Sequence, residues 1–469
     1  MSTWTDRVQG FGLYLTALSL FLAPAGVSVG LALIWLGFFL ALATGRRLPV
    51  SAGVWLAAVF GLYALINAAL TDYPGSDLGG RFASVADWVQ LCVFVPVACA
   101  LRGDQRRLLQ LLALALFGLL LGGLGRLDWA LLLSDSTVFL GSRPGFGFPA
   151  IVFALFSGIA LIGLFVLRAR WWSASVRGIG AWGVVLWLVA AAMLLQGFVL
   201  TLSRGAWIAL ACTVVVAVWM GRRGYLIARS DEIAAVSLGE RSGERSGERL
   251  GDGPGVSAAQ GRMTHLRPAL PWLGGLLLMG LMALNAGTII DRLGAETDAA
   301  SAILSGDTDV SAQSSFGQRW HAQRFGLSLW LERPVFGWGP GSSHALIASS
   351  GEPALGVGGD EVMDHLHNTY LELLVQLGLI GLAIWVGLFV SLFLSIGKAW
   401  RARLLSADLA RFLTLAIVYL SVWDLFDFHA LHQDWRGAWA LLAGSALSVG
   451  LFAASDAGDQ HEEAACTSR

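Results

Sequence analysis

Long apolar runs recur along the chain, and short polar or glycine-rich connections separate them. A hydrocarbon core about 30 Å thick needs about 20 apolar residues in a helix, so each run of that size predicts a membrane-spanning helix. The first uncharged run, 8–45, is long enough for two helices, and Pro24 with Gly26 predicts the turn between them. The other uncharged runs are 48–71, 108–125, 144–167, 178–203, 205–221, 268–290, 373–397 and 437–455.

Two further runs carry acidic residues and span only under stated conditions. Segment 82–101 requires Asp87 to be buried against protein, and segment 408–427 requires Asp424 and Asp427 to lie near a membrane surface. With them the pattern predicts an all-α polytopic membrane protein of twelve helices. Composition agrees, because 56% of the residues are hydrophobic and 13% are charged, against about 25% charged in soluble domains.

Basic residues predict the orientation. If the chain starts inside and the connections alternate, most of the 31 Lys and Arg residues fall on the inner side, as the positive-inside rule requires. We therefore expect both termini in the cytoplasm and an uncleaved first helix. The predicted division is helices one to eight over 1–221, a cytoplasmic loop over 222–267, helix nine over 268–290, an outer loop over 291–367, helices ten to twelve over 368–455, and a cytoplasmic tail over 456–469.

The cytoplasmic loop 222–267 contains a repeated Gly-Glu-Arg-Ser unit that starts at Gly239. Its few apolar residues and many glycines predict a disordered linker. A regulatory or partner-docking role is the alternative.

The outer loop 291–367 has the size and content expected of a functional segment. Residues 315–331 predict a helix with Phe316, Trp320 and Leu327 on its apolar face, and Pro334 ends it. A glycine-rich aromatic turn over 335–341 follows, and the loop closes on Asp364-His365-Leu366-His367-Asn368. We expect the chemistry to take place here.

Arginines in apolar surroundings are the candidate anion ligands. Arg204 lies between two apolar runs and Arg319 lies in the predicted loop helix; Arg143 is a weaker candidate in a glycine-rich segment. The alternatives are an arginine that extends to lipid headgroups and a solvated helix-face charge. Because acidic residues outnumber basic ones in 291–367, individual arginines rather than the overall field must hold any phosphate.

Histidines near the mouth of the next helix are candidate general bases, because imidazole titrates near neutral pH. His367 and His365 are the candidates, with a structural role as one alternative. A metal site is the other, and it would use Asp364 and both histidines, with Asp360 or Glu361 as an optional fourth ligand. Residues two apart are poorly placed on one helix face, which disfavours it. A second polar cluster that could line the same cavity consists of His429, His432, Asp434 and Arg436.

Three motifs resemble the bacterial O-antigen ligase family. His367-Asn368, nine residues, Gly378, two residues and Gly381 resembles the family's histidine motif. Ser203-Arg204-Gly205-Ala206 resembles its arginine at a short outer turn. Arg319-Trp320, followed by Pro334, Gly337, Gly339 and Gly341, resembles the arginine and glycine-rich turn of its large periplasmic loop. Arg143 departs from the pattern, because Phe148-Pro149 lacks the asparagine often found before the proline.

The resemblance implies a GT-C-like glycosyltransferase of the bacterial inner membrane, with its large periplasmic loop between helices nine and ten and its active site facing the periplasm. It would move a glycan, with inversion, from undecaprenyl diphosphate to a sugar hydroxyl of lipid A–core, without a metal or other cofactor. His367 would be the base, and Arg204 and Arg319 would hold the diphosphate. The implied substrate-binding residues are Arg143, His365, Trp320, Trp338, Asn368, His432 and Arg436.

Two kinds of alternative stay open. Within the superfamily they are an O-antigen or exopolysaccharide polymerase and an O-linked protein oligosaccharyltransferase. A transporter of lipid-linked glycan is the alternative from another class, although it should have ionisable residues at mid-membrane. The formal net charge of −1 gives no indication of nucleic acid binding.

Overall fold

The computed structural model of the chain describes residues 4–46, 48, 50–135, 138–139, 142, 144–174, 182–239, isolated positions between 280 and 305, 315–357 and 362–467. All regular secondary structure within these ranges is helical. The helices are α1 (Trp4–Ser19), α2 (Pro24–Ala43), α3 (Ala52–Leu70), α4 (Leu78–Gln90), α5 (Phe94–Leu101), α6 (Gln105–Gly125), α7 (Trp129–Ser134), α8 (Ala150–Val166), α9 (Arg168–Ala174), α10 (Trp182–Leu200), α11 (Arg204–Gly239), α12 (Ser315–Glu332), α13 (Ser342–Ser349), α14 (Thr369–Arg401), α15 (Ala407–Trp423) and α16 (Gln433–Thr467).

Within the described ranges, seven helical segments are long and apolar enough to cross a bilayer. They are α2, α3, the continuous segment Leu78–Leu101, α6, α10, the first part of α11 (Arg204–Arg222) and α14. The chain is therefore a multi-pass α-helical membrane protein. The apolar helix α8 has 17 residues, α15 has 17 and α1 has 16. The run 268–290 lies almost entirely outside the described residues. The total of twelve stays a prediction.

Two helices extend beyond their predicted ends. α11 continues to Gly239 although the sequence predicts a loop from residue 222, and α16 continues to Thr467 although it predicts a tail from residue 456. Neither extension contains proline, and both are rich in alanine, which favours helix. The rest of the predicted linker, with its repeat, lies outside the described residues.

Connections gather at the two ends of the helices. At one end Arg333 donates to the carbonyl of Asp72 at 3.0 Å, and Gln433 donates to the carbonyl of Pro24 at 2.6 Å. At the other end Asp6 pairs with Arg46 at 2.9 Å and with Arg102 at 2.5 Å. The first end carries His367 and is called the site end below.

Between the ends, large aromatic side chains fill the interior. Trp88, Trp385, Trp423 and Trp439 are each 1% exposed or less. α14 packs against α3, α12 and α16, while α15 packs between α8 and α11. This core fixes the relative positions of the helix ends that carry the site.

A break in α14 joins two of the sequence motifs. Gly378 has φ 64° and ψ −169°, and this non-helical conformation interrupts the helix. Glycine adopts such positive φ values more readily than other residues do. A Cβ on Gly378 would overlap the carbonyl of Val335, and one on Gly337 would lie 2.7 Å from backbone atoms of Gln376 and Gly378. The glycine-rich turn and α14 therefore meet backbone to backbone.

The break frees backbone groups of α14, and the turn binds them. Trp338 N–H donates to the carbonyl of Val375 at 2.7 Å, and Leu379 N–H donates to the carbonyl of Pro334 at 2.9 Å. Buried backbone groups must be paired, so the turn completes the interrupted helix and is fixed against it.

The predicted loop helix is confirmed as α12, but its predicted apolar face is wrong. Phe316 and Leu327 are 39% and 47% exposed, whereas Ala322 and Leu329 are buried. A Cβ on Gly326 would lie only 2.8 Å from the side chains of Leu366 and Leu371, so Gly326 faces these two residues. Close approach of α12 to the start of α14 selects small residues there, and hydrophobic periodicity alone does not reveal this.

Candidate active site

His367 pairs with an acidic residue from a distant connection. Its Nδ1 lies 3.0 Å from Oδ1 of Asp427, which follows α15 and is 5% exposed. His367 itself has φ 52°, so the chain turns sharply at this residue. If Nδ1–H donates to the carboxylate, Nε2 is the acceptor nitrogen, which is the arrangement a general base needs.

Asn368 fixes the position of this turn. Its side-chain oxygen caps α14 by accepting from Tyr370 N–H at 3.0 Å and Leu371 N–H at 3.1 Å. Its amide donates to the carbonyl of Leu425 at 3.1 Å. The side chain therefore binds the start of α14 to the connection that carries Asp427.

Glu372 holds the other side of the same turn. This fully buried carboxyl group accepts from Leu366 N–H at 2.7 Å, from the Ser343 hydroxyl at 2.5 Å and from the Gln376 amide at 2.7 Å. The backbone next to His367 is thus held between Glu372 in α14 and the connection after α15.

His365 lies beside His367. The ring centroids are 4.3 Å apart, and His367 N–H donates to Nδ1 of His365 at 3.2 Å. Burial lowers the pKa of His365 to about 4, and the charges of His367, His432 and His429 act in the same direction. His365 is therefore neutral at neutral pH. Donor atoms of His365, His367 and Asp427 all lie within 4.8 Å of one another.

Asp364 does not join these histidines. Its side chain is 84% exposed, and Oδ1 lies 3.6 Å from Nε2 of His344. Asp360 and Glu361 lie outside the described residues. The ligand set that the sequence suggests for a metal is therefore wrong at Asp364, because the turn directs that side chain away from the imidazoles.

Asp427 is held as a carboxylate by nearby positive charge. Burial raises the pKa of Asp427, but the hydrogen bond from His367, together with the charges of His367 and Arg319, outweighs burial, and the net pKa lies below its usual value. Arg319 is thus close enough to act on Asp427. The Arg319 guanidinium also donates to the Ser315 hydroxyl at 2.5 Å, within α12.

Arg204 is the first residue of α11 and belongs to the same end. A Cβ on the next residue, Gly205, would lie 2.6 Å from Cβ of Phe426, so the turn before α11 is in direct contact with the connection that carries Asp427. Leu202 in that turn has φ 50°. Two arginines from distant segments therefore belong to the same end as the His367–Asp427 pair: Arg319 on α12, which acts on Asp427, and Arg204 at the start of α11.

The second polar cluster lies close to the first. Nε2 of His429 is 3.0 Å from Oδ1 of Asp434, and the rings of His429 and His432 stack with centroids 3.9 Å apart. Burial lowers the pKa of His432, and the charge of His429 adds to the effect. Since both imidazoles act on the charge of His365, the two clusters share one region of the site end.

Arg436 explains why Asp87 occurs in a membrane-spanning segment. Its guanidinium contacts Asp87 at 3.1 Å and Gln90 at 2.5 Å. The Asp87 side chain is 47% exposed, so the expectation that protein buries it is wrong; an ion pair compensates its charge instead.

The remaining candidates have different surroundings. Trp338 donates its indole N–H to the carbonyl of Leu329 at 2.8 Å, and Arg333 covers its ring at 3.9 Å, so it stabilises the glycine-rich turn. Trp320 is half-buried on α12 beside Arg319. Arg143 lies outside the described residues.

Sequence reasoning did not identify Asp427 or Glu372 as site residues. Asp427 is 60 positions from His367, and only packing brings the two together. Glu372 lies one helical turn into α14, and an acidic residue in an apolar run is a signal that could have identified it.

The helices and the polar groups at their site end define a class of protein: a multi-pass membrane protein with a histidine–carboxylate pair and two arginines at one end of its helices. Residues 188–386 match the family model described as O-antigen ligase, which confirms the resemblance that the three motifs indicate. The match includes Arg204, Arg319 and His367 and ends before Asp427. A comparison with curated proteins finds no match to the chain.

Proposed function

We propose that this protein is an O-antigen ligase, a GT-C-like glycosyltransferase that moves a glycan from undecaprenyl diphosphate to a sugar hydroxyl of lipid A–core. The family match, which is to a ligase and polymerase superfamily, supports transfer of a lipid-linked glycan. The observation that carries the proposal is the His367–Asp427 contact of 3.0 Å, with Arg319 acting on the same carboxylate.

In the proposed reaction His367 is the general base. Nε2 accepts the proton of the acceptor hydroxyl as the hydroxyl oxygen attacks the anomeric carbon of the donor glycan. The bond between that carbon and the diphosphate oxygen breaks, and direct displacement inverts the configuration. Asp427 keeps Nδ1 protonated and stabilises the imidazolium that forms.

Arg204 and Arg319 bind the diphosphate in this proposal. A guanidinium makes two parallel charge-assisted hydrogen bonds to phosphate oxygens, and these become stronger as negative charge develops on the leaving diphosphate. The proposed reaction needs no metal, because the two arginines supply the positive charge.

Other residues contact or orient the substrates in the same proposal. His365, His432 and Arg436 are assigned to sugar or phosphate recognition because their clusters adjoin His367. Trp320 and Trp338 contribute aromatic surface beside Arg319 and in the glycine-rich turn, Asn368 orients the base, and Arg143 is retained as a candidate ligand.

An apolar cavity supports a lipid-linked donor. It has a volume of about 440 Å³ and is lined almost entirely by apolar side chains of the helix bundle, among them Leu112, Ile159, Phe412 and Leu441. Burial of each CH₂ in such a cavity contributes about 0.8 kcal/mol, so the cavity can hold part of a polyprenyl chain.

Orientation and location complete the proposal. The chain lies in the bacterial inner membrane with both termini in the cytoplasm, and the site end faces the periplasm. The excess of Lys and Arg in alternate connections supports this orientation.

A deletion strain examined for lipopolysaccharide tests the proposed activity. Loss of the ligase leaves uncapped core together with accumulated lipid-linked polymer. Core that carries a single repeat unit would indicate a polymerase instead. Normal lipopolysaccharide with a protein that lacks its glycan would indicate a protein oligosaccharyltransferase.

The purified protein separates enzyme from transporter. Transfer of glycan from a lipid-linked donor to lipid A–core in detergent, without any gradient, is the expected result. No transfer in detergent, with movement of the donor across vesicle membranes, would indicate a transporter.

A further inference from the structure

The two histidines of the motif are close in space although they are two positions apart in the chain. In a helix such residues point in different directions, but the 364–367 segment is not helical and His367 has φ 52°. The turn brings the two rings to a centroid separation of 4.3 Å. The argument from helical spacing against a metal site therefore does not apply here.

Asp427 supplies the third donor in place of Asp364. Its Oδ1 is 3.0 Å from Nδ1 of His367, and one donor atom from each of Asp427, His365 and His367 can be chosen so that all three lie within 4.8 Å of one another. Zinc bonds of about 2.0–2.2 Å in a tetrahedral site hold donor atoms roughly 3.3 Å apart. Small side-chain rotations would bring the three groups to that spacing.

The chemical environment suits a borderline-soft cation. Two imidazoles and one carboxylate are donors typical of zinc, and three protein ligands leave a fourth position open. Asp427 is 5% exposed and the His367 side chain 24% exposed, so few waters compete. Among the neighbouring charged groups, Arg319 opposes a cation.

We propose that His365, His367 and Asp427 form a zinc site, and that bound zinc inhibits glycan transfer. Zinc binding stands on the geometry alone, whereas the inhibition rests on the proposed function, in which His367 is the base. A zinc ion bonded to Nε2 of His367 occupies the lone pair that accepts the acceptor proton. A zinc ion bonded to Nδ1 removes the hydrogen bond to Asp427. Either bond disables the base.

Cobalt(II) tests the site independently of activity, because it replaces zinc in such sites and absorbs visible light when four-coordinate. Titration of the purified full chain in detergent, after treatment with chelator, should produce this absorption at about one equivalent, and Zn²⁺ should abolish it. His365→Ala, His367→Ala and Asp427→Asn should each weaken binding by at least about 10- to 100-fold. His344→Ala is the matched control, because His344 is an exposed histidine outside the three-residue set, and it should bind like the wild type.

Inhibition is measured on the same preparations. Micromolar Zn²⁺ should lower the transfer rate of the wild type and of His344→Ala, EDTA should restore it, and Mg²⁺ should have no such effect, because it prefers oxygen ligands. The zinc concentration for half-inhibition of the residual activity of His365→Ala should rise by about tenfold or more.

Each contrary result is distinct. No cobalt absorption, or absorption that persists in His365→Ala, overturns the site. Inhibition that is lost in His429→Ala but kept in His365→Ala would assign the zinc to the second cluster. That result also overturns the proposed site at His365, His367 and Asp427. Binding at the three residues without inhibition overturns the inhibitory role and counts against His367 as the base. If the protein transfers no glycan at all, the proposed function fails, but the cobalt titration still decides the metal site.

Discussion

Replacement of Asp427 by asparagine tests the most specific contact of the candidate site. Asparagine has nearly the same volume, so the buried space around residue 427 stays filled. The change removes the negative charge that lies 3.0 Å from Nδ1 of His367. Its amide can also donate to Nδ1, which would favour the imidazole tautomer with the proton on Nε2, the wrong nitrogen for a base.

The size of the effect follows from these two losses. A hydrogen bond to a charged group contributes about 1.5–3 kcal/mol, and each 1.36 kcal/mol is a factor of ten in rate. The wrong tautomer adds to this, and the equivalent change in a serine protease triad costs about 10⁴-fold. We therefore expect the transfer rate to fall by roughly 10²- to 10⁴-fold.

The assay separates catalysis from binding. Transfer rate at saturating donor and donor affinity are measured separately on purified Asp427→Asn, His367→Ala and the double variant. Donor affinity should change little, because the arginines bind the diphosphate. The double variant should be no slower than His367→Ala alone, since residues that act as one unit are not additive.

A second histidine–carboxylate pair provides the control. Asp434 contacts His429 at 3.0 Å near the same site, and Asp434→Asn should leave transfer within about threefold of the wild type, a change of less than 1 kcal/mol. Wild-type transfer by Asp427→Asn would refute the role of the pair. Equal losses of transfer in Asp427→Asn and Asp434→Asn would mean that both carboxylates stabilise the fold, and that Asp427 has no special role in activating His367.

Four other predictions concern the rest of the chain. Arg204→Lys and Arg319→Lys should each be nearly as slow as the corresponding alanine variants, because lysine cannot make the forked contact to phosphate; full transfer by both lysine variants would exclude that contact. EDTA should leave the transfer rate unchanged or raise it, and a loss of transfer that one divalent ion restores would overturn the proposed mechanism. Deletion of 237–255 should keep near wild-type transfer, because in the proposed orientation the predicted linker is cytoplasmic and lies across the membrane from the site; loss of transfer by inserted, folded protein would contradict this. Gly378→Ala should lower thermal stability in detergent by the equivalent of about 1–3 kcal/mol, because alanine is strained at φ 64°, whereas Gly387→Ala in the same helix, with ordinary contacts at 3.5 Å to Leu56, should not.

The sequence by itself determined the membrane class, most of the helical spans and the loop helix Ser315–Glu332. These depend on local pattern, because hydrophobic run length and a proline boundary act within one segment. The sequence alone also selects His367, Arg204 and Arg319 as candidate site residues, because each occurs in a short run of characteristic neighbours.

Only the tertiary structure decided which partners these residues have. Asp427 pairs with His367 across 60 positions, Gly326 rather than Phe316 faces α14, and Arg436 compensates Asp87. Each contact depends on how helix ends from distant segments pack, which the pattern of any one segment does not contain. The break at Gly378 is the clearest case, because its reason is the backbone of a turn about 40 residues earlier in the chain.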